Sequence, residues 1–141
     1  MNSFKIAGNN GFIEIELIET YTGEAARSPK DGFDCTCQLR IENDGFSVSD
    51  TLYASTGQFE DLLEKLSKIH AELDGICQYR NEYEDNLNIT FSMKTGGHLE
   101  ISGKYWKLTL HKIQLEFSIL SDQSYLTDGL TQLRRFCSQF P

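Results

Sequence analysis

The chain has 141 residues and a formal net charge of -8, with four cysteines and three histidines. That length fits one domain, and a chain of this size buries about two-thirds or more of its unfolded surface, so no disulfide or metal staple is needed. The acidic balance argues against unaided binding to nucleic acid or an anionic membrane, either of which requires a cationic face, and it favours a basic partner.

No apolar run approaches the roughly 18 to 20 residues that span a bilayer, and Met1 to Asn10 lacks the apolar core of a signal peptide. The expected location is therefore the cytoplasm, where Cys35, Cys37, Cys77 and Cys137 stay reduced. Cys35 and Cys37 share a strand face with Leu39 and Ile41, a pattern of buried small hydrophobes. A metal site would need two further ligands at suitable spacing, and the sequence has no CxxC or HxxxH pair, so neither a metal nor another cofactor is expected.

Taken in chain order, Phe4 and Ile6 suggest a short strand, Gly8-Asn9-Asn10-Gly11 a turn, and Phe12 to Thr20 a strand with Ile13, Ile15 and Leu17 on one face. From Thr22 to Gly32 the pattern lapses into Gly, Ser, Pro and charge, the composition of an exposed loop. Cys35 to Ile41 then alternates as a strand, and Asn43-Asp44-Gly45 turns it back onto Phe46 and Val48, Asp-Gly being a strong hairpin signal. At Ser55 the period changes. Ser55 and Gln58 have capping-box spacing, and Phe59, Leu62, Leu63, Leu66, Ile69 and Leu73 follow at steps of three and four, so a helix is predicted with Gly75 as its stop.

Gln78 to Asn86 breaks periodicity and reads as a loop carrying Tyr79, Glu82, Tyr83, Glu84 and Asp85 around Arg80. Leu87, Ile89, Phe91 and Met93 resume alternation, Gly96-Gly97 supplies a hairpin turn, and Leu99, Ile101, Gly103 and Tyr105 face inward on the return strand. Trp106, Leu108 and Leu110 fall on even positions, whereas Ile113, Leu115, Phe117 and Ile119 fall on odd ones. A third strand beginning at Trp106 would thus change phase near His111 or Lys112, through a β-bulge or a strand break. Asp122 or Ser124 caps a last helix with Leu126, Leu130, Leu133, Cys137 and Phe140 along one stripe, and Gly129 within it points to close approach by another backbone. No internal repeat is visible. The order is that of one α+β domain over residues 1–141: an antiparallel sheet of about six or seven strands with two helices packed on one face.

Residue patterns offer no catalytic constellation. His70, His98 and His111 fall on different elements without an acidic residue or cysteine at motif spacing, and the pairs Glu14 with Glu16 and Glu82 with Glu84 sit in stretches rich in charge that read as solvated faces, where nothing raises a carboxyl pKa. Gly96-Gly97 lacks the Lys and Ser/Thr of a phosphate loop and leads into a strand. The loop with Tyr79, Glu82, Tyr83, Glu84 and Asp85 is the candidate partner-binding site: tyrosines supply rigid contact area and clustered carboxylates steer a basic partner.

Thr90 to Met93, Gly97-His98-Leu99-Glu100-Ile101, Leu115-Glu116-Phe117 and the helix opening Asp122-Gln123-Ser124-Tyr125-Leu126 resemble the small bacterial immunity proteins of the WapI-like group, over roughly Phe46 to Phe140. The resemblance implies a non-enzymatic cytoplasmic protein that binds and neutralises a cognate protein toxin. Joined to the negative charge, it suggests a basic toxin domain, with no nucleic acid or membrane as partner. The alternatives are a small-molecule-binding domain and an enzyme whose site is assembled only in space.

Overall fold

A computed structural model describes residues 2–22, 32–81 and 83–141. Two four-stranded antiparallel meanders, each closed by a helix, make up the fold. The first comprises β1 (Ser3–Gly8), β2 (Gly11–Thr20), β3 (Asp34–Asn43), β4 (Phe46–Ser55) and α1 (Thr56–Glu72). The second comprises β5 (Gly75–Arg80), β6 (Leu87–Lys94), β7 (His98–Leu108), β8 (Lys112–Asp122) and α2 (Gln123–Ser138). The expected single sheet of six or seven strands is thus two sheets of four. The physical reason is that α1 interrupts the ladder after β4, and β5 starts a new one instead of adding to the old edge.

The two halves repeat a pattern that residue identity conceals. Ser55 and Asp122 are the N-caps, and Phe59, Leu66 and Ile69 follow Ser55 at the same spacings at which Leu126, Leu133 and Phe136 follow Asp122. Each cap oxygen accepts first-turn amides that lack intrahelical partners: Ser55 from Gln58 N, and Asp122 from Ser124 N and Tyr125 N. Each helix then packs against the first strand of the opposite half, α1 on β5 and α2 on β1, while the helices touch each other.

Where these four elements converge, aromatic rings form the centre of the core. Phe4 of β1 meets Phe136 of α2 edge-on at 4.9 Å between centroids, Phe136 meets Phe59 of α1 at 5.3 Å, and Phe59 stacks on Tyr79 of β5 at 5.8 Å. Phe136 lies outside the stripe read from the sequence, and its complete burial makes the inner face of α2 wider than expected. One apolar cluster runs through both sheets and both helices.

Local chemistry sets the turns. Asp44 and Gly45 both take positive φ in the β3–β4 hairpin, as do Gly96 and Gly97 between β6 and β7. α1 stops at Glu72, earlier than Gly75 suggested, because Leu73 itself takes the left-handed C-cap conformation and its N–H donates to Ile69 O. A register shift between Leu17 and Glu19 in β2 leaves Ile18 exposed. The expected phase change near His111 is a strand break, the hairpin turn between β7 and β8. However, Trp106 continues β7 rather than opening a third strand, so Trp106 and Leu108 take the face opposite Leu99, Ile101 and Tyr105.

The outer edge of β8 is satisfied by side chains. Asn43 Nδ2 donates to Ser118 O at 3.0 Å and its Oδ1 accepts from Ser118 N at 3.1 Å; Asn10 Oδ1 accepts from Leu120 N at 2.8 Å. Asn9 N donates to Leu120 O at 2.8 Å, which ties the turns of the first sheet to the edge of the second. Gly129 fulfils its expectation: a Cβ there would lie 3.1 Å from Ile6 Cγ1 and 3.2 Å from Lys5 O.

Candidate functional site

The first candidate surface is the connection between β5 and β6. Its neck is closed by two buried asparagines: Asn81 Nδ2 donates to Asn86 Oδ1 at 3.1 Å, and Asn81 Oδ1 accepts from Tyr83 N at 3.2 Å. These bonds replace ladder pairing where the strands part, so the loop is held by polar contacts at its base. Tyr83 reaches back to the first sheet, where its hydroxyl donates to Asp34 Oδ1 at 2.5 Å. Asp85 pairs with Arg80 at 2.8 Å, and the hydrogen bond from that guanidinium holds its carboxyl below the usual carboxylate range. Glu84 is exposed, and Glu82 lies outside the described residues.

Tyr79 occupies a different place from the one its sequence context suggested. It belongs to β5, not to the loop, is 3% exposed and stacks on Phe59, so its ring faces the core rather than the surface. Cys77 and Tyr79 inward alternating with Ile76, Gln78 and Arg80 outward is the signal that would have revealed β5. Tyr83, Glu84 and Asp85 remain together at the surface. The other acidic pair, Glu14 and Glu16, shares Arg40, with separations of 3.3 and 3.5 Å.

A second surface adjoins the loop through Trp106 N, which donates to Asn86 O at 3.0 Å. Here the β7–β8 hairpin and the start of β4 form the walls of a cleft of about 400 Å³, with Phe46 and Val48 on one side and Tyr105, Ile113 and Leu115 on the other. Asp50 bridges the walls. It accepts from the Tyr105 hydroxyl, from Thr51 N at 2.8 Å and from Lys107 Nζ at 3.2 Å. Partial burial works against the Asp50 carboxylate, but the Tyr105, Thr51 and Lys107 contacts outweigh it and leave its pKa below the usual value. The Tyr105 hydroxyl is pushed the other way, by burial and by the same bond. Trp106, Leu108 and Leu110, read from the sequence as the apolar start of a third strand, are not a core face: Leu108 is 81% exposed and Leu110 97%.

The remaining polar candidates are dispersed. His70 Nε2 and Thr127 Oγ1 lie 2.8 Å apart between the helices, while His98 and His111 are exposed on β7 and in the β7–β8 turn. Cys35, Cys37 and Cys77 are buried free thiols and Cys137 is half-buried. Burial pushes Cys77 up to about 11 and Cys137 up to about 12, so both are unreactive protonated thiols at neutral pH. Among the described residues no three His, Cys, Asp or Glu side chains gather as a metal site, and no helix is long and apolar enough to cross a membrane.

Fold and surface together define a two-sheet α+β protein with an apolar cleft beside a polar, tyrosine-bearing loop. The family model of the immunity protein WapI-like family matches residues 4–141, and the chain belongs to that family. No curated protein matches the sequence.

Proposed function

We propose that this chain is a non-enzymatic, cytoplasmic immunity protein that binds a cognate protein toxin and blocks it. The observation that carries the reading is the family match, which extends over both ββββα halves. The net charge of -8 supports a basic toxin domain, since a toxin that grips nucleic-acid phosphates presents Lys and Arg that carboxylates can imitate. Docking through the β5–β6 loop would use Tyr83, Glu84 and Asp85 together with Glu82, while Tyr79 supports the loop from inside the core.

Co-expression with the variable C-terminal domain of a large secreted toxin encoded beside this chain's gene tests the reading. The expected result is rescue of growth together with a purified one-to-one complex. A chain that neither rescues growth nor binds that domain is not its immunity protein.

A further inference from the structure

The turn between β1 and β2 is fixed by how closely it approaches the rest of the fold. A Cβ on Gly8 would lie 2.3 Å from Leu120 O and one on Gly11 would lie 2.0 Å from Glu42 O, so a larger residue at either end of the turn would have to displace backbone. Gly11 is also held in register between Gly8 of β1 and Asn43 of β3. Position 10 is equally constrained, because the Asn10 amide is the clamp that reaches β8. Its Oδ1 accepts from Leu120 N at 2.8 Å, and its Nδ2 donates to Ser118 O at 3.0 Å and to Asp44 Oδ2 at 3.1 Å. The junction of the two sheets therefore calls for asparagine followed by glycine, and Asn10-Gly11 is the only such pair in the sequence.

That dipeptide is chemically labile. The backbone nitrogen of the second residue attacks the side-chain Cγ of the asparagine, a five-membered succinimide closes and ammonia leaves; with glycine second, no Cβ hinders the closure. Water then opens the ring at one of its two carbonyls and gives aspartate or, with the main chain rerouted through the side chain, isoaspartate. The balance is asparagine plus water to aspartate or isoaspartate plus ammonia, with no enzyme, metal or oxidant. In the folded chain the three hydrogen bonds hold the Asn10 amide on β8 and Asp44, and ring closure has to break them. The reaction then proceeds only from states in which the turn has left β8, so local opening sets its rate.

We propose that Asn10-Gly11 is a site of spontaneous deamidation, shielded by the folded junction, and that its conversion unfastens the two sheets. The product places a carboxylate oxygen where Nδ2 stood, facing the Ser118 O and Asp44 Oδ2 that the amide held. Asp44 Oδ2 also accepts from Asn43 Nδ2 at 3.4 Å, so the new charge falls on the second clamp of the β8 edge as well. Like charges in contact each disfavour the ionised form, so this penalty is present above about pH 4 and is relieved as pH falls below it. Isoaspartate adds a methylene to the main chain of a turn whose two ends, Gly8 and Gly11, are paired with each other.

The test holds the purified full-length chain in warm, mildly alkaline buffer, folded and in concentrated urea. Peptide mass spectrometry follows the gain of one mass unit at Asn10, and an isoaspartyl methyltransferase labels the rerouted product. The unfolded chain should convert at least about tenfold faster than the folded one, since a clamped amide reacts only in its open fraction. Made directly, Asn10→Asp should melt at least about 4 °C below the wild type at pH 7. It should also melt below Asn10→Ala, which loses the same bonds without adding a charge, and the gap between the two variants should close below about pH 4. An Asn10→Asp chain that fails to fold at pH 7 while Asn10→Ala folds supports the unfastening equally. No conversion at Asn10 in urea overturns the site, and equal conversion of folded and unfolded chain overturns the shielding. An Asn10→Asp variant that melts with the wild type overturns the unfastening, and one that melts above Asn10→Ala at pH 7 overturns the part given to charge.

Discussion

Asn43 holds the backbone of Ser118 by both ends of its side-chain amide, at 3.0 and 3.1 Å, although the two residues belong to different sheets. The amide copies the donor and acceptor of a neighbouring strand, so the edge of β8 is closed without a ladder. Asn43→Ala would leave both backbone groups of Ser118 without those partners and should lower stability by about 1 to 3 kcal/mol. Asn43→Asp should cost at least as much, since an oxygen would then face Ser118 O. Urea unfolding midpoints check both, and an unchanged midpoint for Asn43→Ala would show that this link does not hold the sheets together.

Gly129 and Ile6 make the matching contact at β1. Alanine at position 129 gains about 1 kcal/mol of helix propensity. Its Cβ, however, would sit 3.1 Å from Ile6 Cγ1 and 3.2 Å from the backbone oxygen of Lys5, on a strand fixed by pairing with β2. Overpacking of this kind costs about 1 to 3 kcal/mol. The expected net effect of Gly129→Ala is destabilisation by about 1 kcal/mol, read from the same unfolding curves. A stabilised variant would mean that β1 yields freely.

Tyr79 separates a core role from a docking role. Tyr79→Ala should destabilise the chain by about 3 to 5 kcal/mol, as deletions of buried aromatic rings do. The Tyr79 hydroxyl is buried without a partner among the described residues, so Tyr79→Phe should shift stability by less than about 1 kcal/mol. Thermal melts of the two variants decide. A Tyr79→Ala protein as stable as the wild type would return this ring to the surface.

The helices and most turns were legible because their signals are local. Ser55 and Asp122 cap, Asp44-Gly45 and Gly96-Gly97 turn, and the apolar steps from Phe59 to Ile69 define one helical face. β5 escaped because it is only six residues long and its inward pair, Cys77 and Tyr79, runs straight into the charged stretch from Arg80 to Asp85. The division into two sheets escaped for another reason: alternation tells which face of a strand is buried but not which strand it pairs with, and the Asn43–Ser118 link joins residues far apart in sequence. The hairpin was misread because the apolar residues Trp106, Leu108 and Leu110 read as the start of a third strand. Their even phase, opposite to Leu99, Ile101 and Tyr105, was the available sign that they point outward.

Asp50 gives the fold a specific acid dependence. Its folded-state carboxyl pKa lies below its unfolded value, so its stabilising contribution is present above about pH 4, the unfolded range, and is lost as pH falls through the lower folded-state value. Asp50→Asn should therefore be less stable than the wild type at pH 7, and the gap should narrow as pH is lowered below about 4. Melting temperatures between pH 7 and pH 2.5 test this. A gap that stays constant throughout would remove ionised Asp50 as the cause.

Association with the toxin should respond to the β5–β6 loop differently from dissociation. Glu84 and Asp85 lie at the surface in the same loop as Glu82, and Asp85 is screened in part by Arg80 at 2.8 Å. Charges of this kind act at long range on the encounter and contribute little to the lifetime of the complex. Replacing Glu82, Glu84 and Asp85 together with Gln, Gln and Asn should slow association and flatten its salt dependence while leaving dissociation nearly unchanged. Tyr83 acts at short range: Tyr83→Ala removes both the ring and the hydroxyl on Asp34, whereas Tyr83→Phe removes only the bond. If the ring contacts the toxin, Tyr83→Ala should speed dissociation by a factor corresponding to about 1 to 3 kcal/mol, and Tyr83→Phe should stay close to wild type. Stopped-flow or surface binding kinetics at two ionic strengths resolve the two effects. Unchanged rates for the triple variant and for Tyr83→Ala would take this loop out of the interface.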